Sequence, residues 1–166
     1  LLLIADLYGL PRSESELRCE QLLRLFGLTA QADQLLEGFS HGMKQKTVVA
    51  AALIHRPQVV ILDEPTVGLD PASARLLKDV LRELATQGAA VFLSTHILEI
   101  AERMCDRVGI LDHGRLIAEG SPAELRARSK RAGETLEDIF LELTGTGEEA
   151  ALIHSLEEAP NGEDHG

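Results

Sequence analysis

Three short clusters in this sequence carry side chains that could do chemistry. Asp63 and Glu64 follow the apolar run Val59-Val60-Ile61-Leu62, and Ser94-Thr95-His96 ends the run that begins at Ala90. Both clusters are therefore expected at strand ends, where open α/β sheets place their ligand sites. Adjacent carboxylates at such an edge suit phosphoryl chemistry: Asp63 can hold a magnesium ion through water while Glu64 polarises an attacking water. His96 can offer an imidazole to charge developing on a phosphate. The third cluster, Ser40-His41-Gly42-Met43, stands where a helix should begin. A hydroxyl and free amides at a helix N-terminus can bind an anion.

Taken singly, each cluster has a plainer reading. An Asp-Glu pair after a strand is most often a solvated turn, a lone His there a cap or a satisfied core residue, and Ser-His-Gly a turn with a helix cap. Their order along the chain matters, because regular elements must bring them together. Ser13 to Glu16 has the form of a capping box, which predicts a helix to about Phe26 with Leu22, Leu25 and Phe26 on its apolar face. A shorter helix is expected over Ala30 to Glu37, and another from about Lys44 to His55, stopped by Arg56-Pro57. Val59 to Leu62 and Ala90 to Ser94 read as strands covered on both faces, which implies a parallel sheet. Asp70 as cap with Pro71 at the first helical position opens the intervening helix, and Gly88 closes it.

Further on, the pattern predicts a helix over Ile97 to Met104 and strands over Arg107 to Leu111 and Leu116 to Ala118, joined by a turn at Asp112-His113-Gly114-Arg115. Ser121-Pro122-Ala123-Glu124 caps another helix, and Thr135 to Leu143 is the last. Residues 145 to 166 read as a mobile acidic tail. The chain starts at Leu1, inside the apolar stretch Leu1 to Leu10, which reads as a truncated start.

Composition narrows the function classes. With 166 residues, 45% of them hydrophobic, one domain with a buried core is expected. The net charge of −11 gives no basic face for a nucleic-acid partner. No apolar run approaches the roughly 18 residues that cross a bilayer. Cys19 and Cys105 are too few and too unpatterned for a disulfide framework or a zinc site; Cys105 is expected to pack as a small hydrophobe and Cys19 to be partly exposed. Lys44 and Lys46 read as solvated charges.

The combination of Ser40-x-Gly42 opening a helix, Leu62-Asp63-Glu64-Pro65-Thr66 after a strand, Gly68-Leu69-Asp70-Pro71, and Ser94-Thr95-His96 resembles the ATP-binding cassette (ABC) ATPases, over Leu1 to about Leu143. The resemblance implies an α/β fold: a partial P-loop NTPase-like parallel sheet with flanking helices plus an α-helical subdomain. It divides the chain into a helical signature subdomain (1–56), the C-terminal part of the ATPase core (57–127), and a C-terminal helix and tail (128–166). It implies that Asp63 orients Mg2+ through water, that Glu64 activates the hydrolytic water, and that His96 contacts the γ-phosphate. It also implies that Ser40, His41, Gly42 and Met43, with Asp70 of the D-loop, meet the ATP of a partner subunit. His41 and Met43 depart from the usual Gly and Gln of the signature.

The partners implied are a membrane permease subunit and a second ATP-binding subunit, in a homodimer on the cytoplasmic face of the cell membrane. Gly42-Met43-Lys44-Gln45-Lys46 and the segment Leu136 to Thr144 resemble exporter-type members. The sequence contains no Gly-x-x-x-x-Gly-Lys-[Ser/Thr], the loop that cradles β- and γ-phosphates. The chain alone is accordingly expected not to hydrolyse ATP, and its strands to lack a neighbour, which makes it unstable or prone to misassembly. The alternatives are a non-catalytic short cassette that serves as a binding module, and a non-transport ABC protein acting on ribosomes or in DNA repair.

Overall fold

Apolar residues at helical spacing build the first part of the chain. A computed structural model describes residues 1–128 and 135–144. Helix α1 (Leu2–Leu7) leads through Pro11 into α2 (Arg12–Leu25), whose Ser15, Cys19 and Leu22 form its buried side. The expected capping box at Ser13 is absent. Pro11 is the N-cap, Ser13 lies inside the helix, and Glu16 instead accepts a hydrogen bond from Arg12 Nε at 2.8 Å. Cys19 is buried rather than partly exposed, because it falls on the same helix face as Ser15 and Leu22; burial pushes its thiol pKa up. In place of a helix over Ala30 to Glu37 there are two single 3-10 turns, Thr29–Gln31 and Leu36–Gly38. Leu35 and Leu36 are exposed, so this segment has no buried face to offset the cost of helix nucleation.

Helix α3 (His41–Leu53) starts three residues earlier than expected. The reason is its N-cap: the Ser40 hydroxyl oxygen accepts the Met43 amide at 3.3 Å. Its other end is set by Arg18 of α2, which donates from Nε to Ile54 O at 2.7 Å and from Nη2 to Leu53 O at 2.9 Å. Two carbonyls that a helix end leaves without partners are thereby satisfied. Tyr8 stacks on His55 just beyond, with ring centroids 3.8 Å apart.

Strand β1 (Val59–Asp63), helix α4 (Pro71–Thr86) and strand β2 (Ala90–Ser94) follow, and β1 pairs with β2 in parallel, Val59 opposite Ala90 and Asp63 opposite Ser94. A parallel pair joined by a helix is the βαβ unit the sequence implies. The expectation of strands covered on both faces is not met. Val60 and Leu62 are buried, whereas Val59, Ile61 and Phe92 are exposed, because among the described residues nothing packs on that face. In α4, Asp70 is the N-cap and Pro71 opens the first turn; Leu77 and Leu81, one turn apart, are buried.

The chain forms two compact units, Leu1–His96 and Ile97–Gly166, so the expected division near residue 56 falls inside the first. The second unit contains α5 (Leu98–Met104), the antiparallel pair β3 (Val108–Asp112) and β4 (Arg115–Gly120), α6 (Pro122–Arg128) and α7 (Leu136–Thr144). Between β3 and β4, His113 and Gly114 both take positive φ, which gives a tight hairpin turn. At α6, Ser121 and Glu124 exchange side-chain-to-amide bonds at 2.8 and 3.2 Å, and Thr135 and Asp138 do the same before α7. Ala101, Val108, Ile110, Leu125, Leu136 and Ile139 form this unit's core, and half-buried Cys105 packs against it as a small hydrophobe. The acidic tail expected over residues 145 to 166 lies outside the described residues. No helix among them is long and apolar enough to cross a membrane.

Candidate active site

The parallel register brings the first two clusters together. Asp63 and Ser94 are opposite each other on the outer face of the β1–β2 pair, and the Ser94 hydroxyl donates to the Asp63 carboxylate. One residue on, the Glu64 amide donates to Ser94 O at 3.0 Å, which continues the ladder past the end of β1. Adjacent residues of a strand point to opposite faces. Glu64 escapes that rule by taking a left-handed backbone, φ 45°, uncommon for any residue but Gly.

From there its carboxylate reaches the end of β2. Oε1 accepts the His96 amide at 2.7 Å and meets His96 Nδ1 at 2.7 Å, while Oε2 accepts the Thr95 hydroxyl at 3.1 Å. An ionised carboxylate only accepts, so Nδ1 carries the proton in this contact and Nε2 is the nitrogen left to a ligand. Burial acts to raise the Glu64 pKa, but the bonds from the His96 ring, the His96 amide and Thr95 outweigh it and hold the group below the usual carboxylate range. The His96 ring is largely exposed.

The third cluster sits against the loop that follows Glu64. Gly42 approaches so closely that a Cβ there would stand 3.1 Å from Gly68 O. The His41 ring, exposed to solvent on one side, lies directly over Gly68. Gln45 Nε2 donates to Pro65 O at 3.4 Å, and Lys46 Nζ lies 4.0 Å from Asp70 Oδ2. Lys46 is thus not the solvated charge expected of it; its side chain is 20% exposed, whereas Lys44 is exposed as expected. Asp70 accepts the Ser73 amide at 2.9 Å and the Ser73 hydroxyl at 2.5 Å, and these bonds hold its pKa low.

The structure therefore joins Asp63, Glu64 and His96 in one hydrogen-bonded group. It places His41 and Gly42 against Gly68, with Ser40 capping their helix through the Met43 amide, and Asp70 beside Lys46. Ser94 and Thr95 fix the two carboxylates, a role the sequence alone does not assign them. The signal available for them was their position directly before His96. Gln45 and Lys46 belong to the run that resembles exporter-type members, but nothing in the sequence marks their contacts with Pro65 and Asp70.

Comparison with known proteins gives the family. Residues 10–102 match a family model described as "AAA domain, putative AbiEii toxin, Type IV TA system". The linearmycin resistance ATP-binding protein LnrL of Bacillus subtilis (strain 168) is 36% identical over 156 residues, covering 94% of this chain and 48% of that protein. The ABC-type transporter ATP-binding protein EcsA of the same organism is 40% identical over 142 residues, 86% of this chain and 58% of that protein. The daunorubicin/doxorubicin resistance ATP-binding protein DrrA of Streptomyces peucetius is 38% identical over 127 residues, 76% of this chain and 38% of that protein. This chain spans about half the length of these relatives. A solved structure titled "Structure of ATP binding subunit of ABC transporter" superposes with a TM-score of 0.80 at 40% identity, covering 86% of this chain and 59% of that one. The mixed α/β fold, the βαβ unit with its carboxylates and these relatives agree: the chain belongs to the family of ABC transporter ATP-binding proteins.

Proposed function

We propose that this chain carries the hydrolytic residues of an ABC transporter ATPase, in a subunit that couples ATP hydrolysis to transport by a separate membrane permease. The observation that carries the reading is the fixed pair of carboxylates, Asp63 held by Ser94 and Glu64 held by His96 and Thr95. A group that only turned a loop would not need four donors converging from the end of the next strand. Relatives named for linearmycin and for daunorubicin/doxorubicin resistance support a direction out of the cell.

In this reading Glu64 orients the attacking water and accepts its proton, and the free Nε2 of His96 faces the γ-phosphate. Asp63 is the residue that would hold Mg2+: it lies on the exposed face, and Ser94 occupies one oxygen and leaves the other to a hard cation. Bound magnesium supplies charge compensation for the phosphates. The Ser40 hydroxyl accepts from Met43, which leaves its proton to donate to a phosphate, and the α3 amides stand beside it. That half-site serves the ATP of a second subunit, with Asp70 at the shared interface of a homodimer. Residues 1–56 act as the helical subdomain that presents Ser40 to Met43, residues 57–127 as the hydrolytic core, and residues 128–166 as a C-terminal extension. The whole works at the cytoplasmic face of the membrane.

Because the sequence has no phosphate-cradling loop, residues 1–166 alone are expected to give no ATP turnover. With such a loop joined upstream, Glu64→Gln should cut turnover by about 10²- to 10⁴-fold and leave nucleotide binding intact. Steady-state ATP hydrolysis beside nucleotide titration decides this; undiminished turnover in Glu64→Gln removes Glu64 from the role.

A further inference from the structure

We propose that His41 is a positioning residue for Glu64: its ring, seated on Gly68, locks the first turns of α3 to the loop 64–70 so that the two move as one body. Four neighbouring contacts support this. The His41 ring lies over Gly68, Gly42 approaches Gly68 O, Gln45 donates to Pro65 O, and Lys46 faces Asp70. Residues 41, 42, 45 and 46 share one side of a helix, since positions four apart lie one above the other. That entire side runs along the loop.

The fit between residues 41 and 68 is specific. Gly68 has φ +77°, and a Cβ built on it would overlap the imidazole, 2.6 Å from Nε2. The histidine therefore occupies the volume that any other residue at 68 would need. The loop then transmits its position to Glu64 through two consecutive turns, Leu69 N to Thr66 O and Val67 N to Glu64 O, both at 3.2 Å. Glu64 stands in a left-handed conformation that an unsupported loop would not hold. Removing the ring frees Gly68, lets those turns open, and loosens the carboxylate from His96 and Thr95.

The functional weight of this coupling rests on the reading of Glu64 as general base, but the coupling itself does not. The test uses the chain as it stands. By amide hydrogen exchange, Lys44 of α3 and Val67 and Leu69 of the loop should share one opening free energy; loop amides that exchange freely while Lys44 stays protected overturn the proposal. The His96 amide, which donates to Glu64, should exchange faster in His41→Ala along with Val67 and Leu69, and His41→Phe, which keeps a ring over Gly68, should restore the wild-type rates. A merely structural role would speed exchange throughout the unit rather than selectively at these three amides. Unchanged rates there in folded His41→Ala, or equal acceleration in His41→Phe, also overturn it. Should His41→Ala not fold, Gly68→Ala must displace the ring and accelerate the same amides. Unchanged turnover in Glu64→Gln once a phosphate-cradling loop is joined upstream, with the accelerated exchange present, would refute the functional reading and leave the coupling standing.

Discussion

Glu64 takes two hydrogen bonds from His96 and one from Thr95, and a carboxylate so engaged loses proton affinity. Its folded pKa lies below its unfolded one, so the clamp contributes stability above the ordinary carboxylate range and loses it as pH falls through the folded pKa. Urea midpoints measured from neutral pH downward should fall more steeply for the wild type than for Glu64→Gln; parallel curves would mean the clamp contributes nothing. Asp70, Glu124 and Asp138, also held low by hydrogen bonds, keep titrating in both. The carboxylates themselves were legible because Asp63 and Glu64 follow an apolar run. Their clamps were not, since a bond from Ser94 to Asp63 exists only in one register of two strands 31 positions apart, and residue types do not state a register.

Capping shows the same limit for whole elements. Among the described residues the pattern Ser-x-x-Glu occurs at Ser13–Glu16 and at Ser121–Glu124, and of these two the second is a reciprocal box. At the first, Arg12 takes the glutamate and Pro11 already sets the chain direction into α2. Ser121→Ala should therefore cost about 0.5–2 kcal/mol of unfolding free energy. Ser13→Ala, inside a helix, should change it by no more than about 0.5 kcal/mol. Equal losses in urea denaturation would contradict this assignment of the caps. The start of α3 differs from the expected Lys44 for a related reason: the bond from the Met43 amide makes Ser40 the cap itself, so the helix begins at His41.

Over the whole molecule, the sequence reading recovered the βαβ order but not what covers it. A continuous run such as Val59 to Leu62 has apolar residues for both faces, and the partner that buries a face is written elsewhere in a chain. Here Ile61 is 73% exposed and Phe92 62% exposed, neighbours on one face of a parallel pair. Contiguous apolar surface of this kind drives association. Sedimentation velocity should show the chain self-associating as concentration rises, and Ile61→Lys should suppress this while changing unfolding free energy by no more than about 0.5 kcal/mol. A monomeric wild type at high concentration would count against the exposed face as an adhesive one.

The left-handed backbone at Glu64 also acts as a sieve on mutation. Asn and Asp tolerate that conformation and Gly adopts it without penalty, whereas Val, Ile and Thr resist it. In a saturation library at position 64 sorted only for folded protein, Asn and Asp should outrank the β-branched residues. That ordering owes nothing to hydrolysis, so a scan scored on abundance would report tolerance at the position where the proposed chemistry would permit none.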